Sequence, residues 1–193
     1  SFVDVKSQES AALRIILKSG KPDFRMRDAE LLVRYYAFAF YFSDYTGNLK
    51  KFLDETCEKL NAAWSAKRHE VIQKLEDFEC GHKAILEVFG DNSYRKWVGN
   101  SYEKRFNRAV FDIMMYVFSN NNIRQRLVDK RDDVESAYKE LSVASEDFRD
   151  SLTHTTKSIS STETRFNAWL GEVMRIQERS ATHAFLKTSL GVR

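Results

Sequence analysis

The segment Leu31 to Phe42, LLVRYYAFAFYF, is apolar or aromatic at every position except Arg34, whereas the segments around it place apolar residues three and four apart. Three-and-four spacing is the period of an amphipathic helix, and a helix apolar on all sides is one enclosed by others. Leu13, Ile16 and Leu17 predict a first helix over Ser7 to Ser19, closed by Gly20-Lys21-Pro22. Asp28 is placed to cap a second helix that runs to about Tyr41 and stops in the polar turn Ser43 to Asn48. Within it Glu30 lies in the first turn and four residues before Arg34, the favourable orientation for a helical ion pair. Asn48 then caps a third helix with the stripe Leu49, Phe52, Leu53, Cys57 and Leu60. After a break near Ser65, apolar positions from Val71 to Phe89 predict a fourth, ended by Gly90 as a C-cap glycine. Gly81 inside it marks a kink or a close helix contact.

In the second half, Arg105 to Ser119 is apolar on most of its circumference and reads as a central helix, ended by Ser119 to Asn122. The charged stretch IRQRLVDKRDD leads to a short helix over about Asp133 to Leu141, where Asp132 and Glu135 have capping-box spacing. A helical turn over Ser145 to Leu152 is followed by the hydroxyl-rich loop THTTKSISS. Ser160 and Glu163 form a second capping box before a last long helix, whose tail after Ser180 frays or extends it.

Composition supports a helical reading. Only one proline, Pro22, and seven glycines occur in 193 residues, too few turn residues for an all-β chain. With 42% hydrophobic and 31% charged residues the balance is that of a soluble globular protein. The longest uninterrupted apolar run, Tyr35 to Phe42, is far short of the roughly twenty residues of a spanning helix. The N-terminus SFVDVKSQES is too polar for a signal peptide. Two cysteines, Cys57 and Cys80, give no disulfide framework; on one continuous helix they would lie about 34 Å apart, so reduced, buried thiols in a cytoplasmic protein are expected.

Candidate chemistry is sparse. No glycine cluster could cradle a phosphate, and His69, His82, His154 and His183 are scattered without metal-ligand spacing, so no cofactor, metal site or catalytic residue is assigned. Adjacent carboxylates such as Glu76-Asp77 point apart on a helix and read as solvated faces. His154, among loop hydroxyls, could join Arg105 and nearby carboxylates in an enzyme site, though capping and turn hydrogen bonds account for those hydroxyls equally well. The net charge of +3, with a pI near 8.8, is too small to clamp DNA by charge alone. Within it Arg95, Lys96, Lys104, Arg105 and Arg108 interleave with Trp97 and Tyr102, the mixture that tracks a phosphate backbone and stacks bases. Acidic neighbours dilute these clusters, and ordinary surface charge is the plainer alternative.

The run RMRDAELLVRYYAFAF resembles the R-M-x-D-x-E-L-x-x-R-x-x-A-F signature of the helical C-terminal half of GmrSD-type proteins, prokaryotic modification-dependent restriction and phage-defence proteins with a ParB/sulfiredoxin-like N-terminal domain. Arg25, Met26, Asp28, Glu30, Leu31, Arg34, Ala37 and Phe38 carry the match. GNLKKFLDE, AILEVFGDNSYRK, RFNRAVFDIMMYVF and EDFRDSLTHTTKSISSTETRFN resemble later segments of the same family in the family's order, from about Phe24 to Asn167. The resemblance implies a structural role for Arg25, Asp28, Glu30 and Arg34. It carries over no catalytic residue, because the Asp-Gly-Gln-Gln-Arg run linked to nucleotide hydrolysis is missing and the lone Pro22 leaves no H-x-x-P nuclease motif.

The expectation is therefore a single all-α bundle of six or seven helices over residues 1–193, without a ParB-like or HNH-like nuclease domain. Its implied role is a non-catalytic module that packs on an NTPase or nuclease domain of the same protein and contributes to DNA contact, with no membrane. A free-standing domain that binds another helix through an apolar groove is the alternative.

Overall fold

The computed structural model describes residues 2–18 and 25–190, with side chains described up to Arg179; the closing turn expected at Gly20-Lys21-Pro22 lies outside the described residues. Ten α-helices occur among the described residues, three more than the upper count expected. They are α1 (Phe2–Glu9), α2 (Ala11–Leu17), α3 (Arg27–Tyr41), α4 (Leu49–Ala66), α5 (Arg68–Phe89), α6 (Arg108–Phe118), α7 (Asn121–Asp129), α8 (Arg131–Ala144), α9 (Glu146–Thr153) and α10 (Ile159–Leu190). Single 3₁₀ turns follow α3 and α5.

α6 is the central element: nine of its eleven residues are buried, and it packs on α3, α5, α7, α9 and α10. α3 buries ten of its fifteen residues against α1, α2, α4 and α6. Its aromatic run is core as far as Phe38, while Ala39 to Phe42 are half-buried against it: Phe38 sits among Phe52, Tyr45 and Phe166 at centroid distances of 5.2–5.8 Å. Two tyrosines on this helix keep their hydroxyls satisfied, Tyr36 donating to the Val71 carbonyl at 2.7 Å and Tyr35 to that of Lys74 at 3.0 Å. Gly81 marks a close contact. A β-carbon there would stand 3.0–3.2 Å from the Ser119 and Phe118 backbone, so only glycine lets α5 meet the end of α6 this closely.

Two local expectations hold: Asn48 accepts from the Lys51 N–H and caps α4, and Gly90 ends α5 at φ 51°. The helical turn expected over Ser145 to Leu152 is α9, capped by Ser145. Others are corrected. The first helix is two, because Ser10 caps α2 locally while Glu79 of α5 accepts from the Ala12 N–H at 3.0 Å and from the Ser10 hydroxyl. Asp28 does not cap α3. Met26, in the left-handed region at φ 53°, holds the cap position, and Asp28 is buried in the first turn with its Oδ1 accepting from the Ala29 N–H. The Asp132/Glu135 capping box is not formed, since Lys130 precedes α8 and supplies no side-chain cap. At α10 it is Ser158, not Ser160, whose hydroxyl accepts from the Ser161 N–H at 3.1 Å. Cys57 lies half-buried on α4 and Cys80 exposed on α5, so the thiols are unbonded but neither is a core residue, and one continuous helix does not hold both.

Arg34 does not pair with Glu30. It reaches across to α6, donating through Nε to Asp112 Oδ1 at 2.9 Å and through Nη2 to Oδ2. A second arginine, Arg165 of α10, approaches the same Oδ2 at 3.7 Å and donates from Nη1 to the Thr156 carbonyl at 2.9 Å. All three side chains are at most 6% exposed. Burial pulls the Arg34 guanidinium down, and the attraction and hydrogen bonds of Asp112 outweigh it, leaving its pKa raised. Arg165 is left lowered, by burial first, with repulsion from Arg34 adding to it. Glu30 instead pairs with Arg108 at 3.1 Å on the surface.

Candidate anion-binding site

Between α5 and α6 the chain leaves the helical pattern for Tyr94 to Asn107, which folds into a small hairpin. Trp97 and Tyr102 form an antiparallel bridge, the Val98 N–H donates to Ser101 at 2.9 Å, and Gly99 turns the chain at φ 90°. The base is closed by the Asn107 N–H donating to the Tyr94 carbonyl at 2.9 Å. Helices α8 and α9 pin it from outside: Tyr138 donates to the Arg95 carbonyl, and Asn107 donates to that of Leu152, each at 3.0 Å. Tyr94 itself is 2% exposed yet holds φ 61°, a left-handed conformation that costs a non-glycine residue on the order of 1 kcal/mol and persists only where its surroundings enforce it.

At the foot of this hairpin lies a recess of about 460 Å³ whose wall combines five cations from four places in the chain: Lys18 after α2, Arg27 of α3, Arg95 and Lys104 of the hairpin, and Arg108 of α6. Among the described residues of the lining Asp91 is the single carboxylate. Arg108 is partly neutralised by Glu30. Ile15, Leu31, Leu86 and Phe106 supply an apolar side. Lys18 is itself the C-cap of α2, held in the left-handed region at φ 51° with its N–H donating to the Arg14 and Ile15 carbonyls. A second recess of about 740 Å³, between α8 and α10, has balanced charge: Lys130, Arg175 and Arg179 against Asp133, Glu140 and Glu172. Only the first is built to select a sign of charge.

The basic cluster read from the sequence divides. Arg95, Lys104 and Arg108 meet at the recess. Lys96 turns to the hairpin's other side, pairing with Glu103 at 2.9 Å and donating to Thr153 Oγ1 at 3.1 Å. Arg105 is exposed between the two recess residues Lys104 and Phe106 and does not line the recess. Trp97 and Tyr102 are not offered to bases. Their rings pack edge-on at 5.0 Å, and Lys139 of α8 stands 5.1 Å from the Trp97 ring. Of the structural positions, Arg34 is in the core, Asp28 is buried, Glu30 half-buried and Arg25 exposed. His154 is exposed at the end of α9, and it too lies outside the recess.

His82 of α5 was given no role by the sequence. It lines the recess at 3% exposure, with Nδ1 2.7 Å from the Tyr94 hydroxyl, and that hydroxyl is also within 3.4 Å of Met115 Sδ. Its Nε2 is buried without a hydrogen-bond partner. Burial lowers its pKa to about 4, so the ring is neutral at pH 7. No group of three or more His, Cys, Asp or Glu among the described residues is placed to hold a metal ion. No helix among them is long and apolar enough to cross a membrane.

Among the described residues the fold is all-helical, with a cationic recess at the foot of the hairpin. Comparison with protein-family models, curated proteins and solved structures finds no match in any of the three.

Proposed function

We propose that the chain is a non-catalytic helical module of a GmrSD-like restriction or phage-defence protein, packed on an NTPase half, and that it lays its hairpin face on DNA. The observation that carries the DNA contact is the convergence of five cations on one recess beside a rigid hairpin, with Arg105 exposed next to it. Lys and Arg gathered on one face supply the electrostatic footprint of backbone binding even where the net charge is small. The restriction or defence context rests on the resemblance. It is supported by the meeting of Arg34, Asp112 and Arg165, one from each of three motif segments, at one buried node, the behaviour of positions that maintain a shared architecture.

The test is binding of a labelled DNA duplex across a salt series. Engagement of three or four phosphates gives a slope of log K against log salt of about −3 to −4. A flat salt dependence contradicts the backbone contact, and nucleotide hydrolysis by the purified chain contradicts the non-catalytic assignment.

A further inference from the structure

We infer that the recess binds a nucleotide, an aromatic base carrying a terminal phosphate, either free or at the end of a strand. The inference rests on the reading of the recess as an anion site and adds what fills its other half.

A bare anion would use only the cations and leave the apolar side wet. A duplex backbone would meet the recess cations and leave the apolar side unfilled. At about 460 Å³ the recess is instead of the size that encloses a small organic molecule. Phe106 lines it, 37% exposed, its ring held by Tyr94 and Phe111 at 5.6 and 5.8 Å. A large aromatic left partly open beside cations suits a flat partner that stacks on it while its phosphate meets Lys104 and Arg95. Phosphate recognition of this kind needs no glycine loop when side-chain donors converge.

His82 builds the recess wall: more than nine-tenths buried, it is tied through Nδ1 to the Tyr94 hydroxyl, which also meets Met115 Sδ. Its Nε2 is itself buried, so the ligand is held by the cations and Phe106, and His82 with Tyr94 shapes the floor beneath them.

Calorimetric titration of the full chain with AMP, adenosine, inorganic phosphate and a 5′-phosphorylated hexanucleotide tests this. Both phosphorylated nucleotide probes bind, and adenosine and inorganic phosphate each bind at least about tenfold more weakly. Phe106→Ala weakens AMP by about tenfold and leaves duplex affinity within about threefold. Tighter binding of the hexanucleotide places a strand end in the recess, and tighter binding of AMP places a free nucleotide there. Inorganic phosphate binding as well as AMP overturns the inference, as does silence of all four probes while the duplex still binds. Loss of duplex binding with AMP intact overturns the duplex reading and leaves the nucleotide site standing.

Discussion

Asp112 faces two buried arginines, and changing it to asparagine is the sharpest test of how the core is held. Asparagine keeps the volume and one acceptor oxygen but removes the negative charge, so any effect is electrostatic and not a cavity. Arg34 then loses a bidentate carboxylate, and Arg165 loses the anion 3.7 Å away, leaving two cations with at most 6% exposure. Removing one partner of a buried pair costs about 3–5 kcal/mol, and stranding a second cation puts Asp112→Asn at or above the top of that range. Against a total of roughly 5–15 kcal/mol the variant retains little margin. With a guanidinium slope of about 4 kcal/mol per M, a 4 kcal/mol loss moves the unfolding midpoint down by about 1 M. Arg165→Met makes the contrast. Its guanidinium is pulled down by burial, its Nε has no partner, and Nη1 donates to the Thr156 carbonyl. Its removal relieves the repulsion with Arg34 and costs less than about 1.5 kcal/mol. A midpoint shift for Asp112→Asn under about 0.2 M, or an equal shift for both variants, refutes the view that one aspartate neutralises this node.

Two further outcomes follow from packing and burial. Gly81→Ala gains about 1 kcal/mol in helix propensity but drives a methyl into the Ser119 and Phe118 backbone, for a net loss of about 1–2 kcal/mol and a Tm lower by about 3–6 °C in calorimetry. His82 has a folded pKa of about 4, below the ordinary 6.5, so its burial favours the native state above pH 6.5, and that contribution disappears as pH falls toward 4. Between pH 7 and 4.5 wild type loses about 2 kcal/mol, allowing for solvent screening, that His82→Gln does not lose; parallel pH profiles in urea unfolding contradict this.

The elements legible in the sequence were those whose cause is local. α3 and α6 announce themselves by their dense apolar runs, and Asn48 and Gly90 cap through groups three and four residues away. Helix starts were misplaced by one or two residues at α3, α8 and α10, where several nearby residues could serve as cap, and larger errors arise where the deciding partner is remote. Ser10 begins a new helix as its N-cap, a local signal masked because the apolar spacing runs on through it, and Glu79, 69 residues on, adds a bond no local pattern shows. Arg34 has a plausible partner at Glu30, but a buried guanidinium needs both oxygens of a carboxylate in the core, and Asp112 lies 78 residues away. α7 buries Leu127 alone, too little for its apolar pattern to stand out from a charged stretch. The recess was half legible. Arg95, Lys104 and Arg108 form a visible cluster, whereas Lys18, Arg27 and His82 join them only through the packing of α2, α3 and α5. No sequence signal separates Lys96, spent on Glu103, from its neighbours.

The central claim, that this face meets DNA phosphates, is tested most directly by comparing two charge reversals of equal size. Lys104→Glu with Arg105→Glu alters the hairpin face, and Lys50→Glu with Lys51→Glu makes the same change in net charge on α4, away from the recess lining. In duplex binding by fluorescence anisotropy, the hairpin pair is predicted to weaken affinity more than about tenfold and to flatten the salt slope by about two, while the α4 pair stays within about threefold of wild type. Equal losses for the two pairs would reduce the effect to net charge and contradict a site at the hairpin.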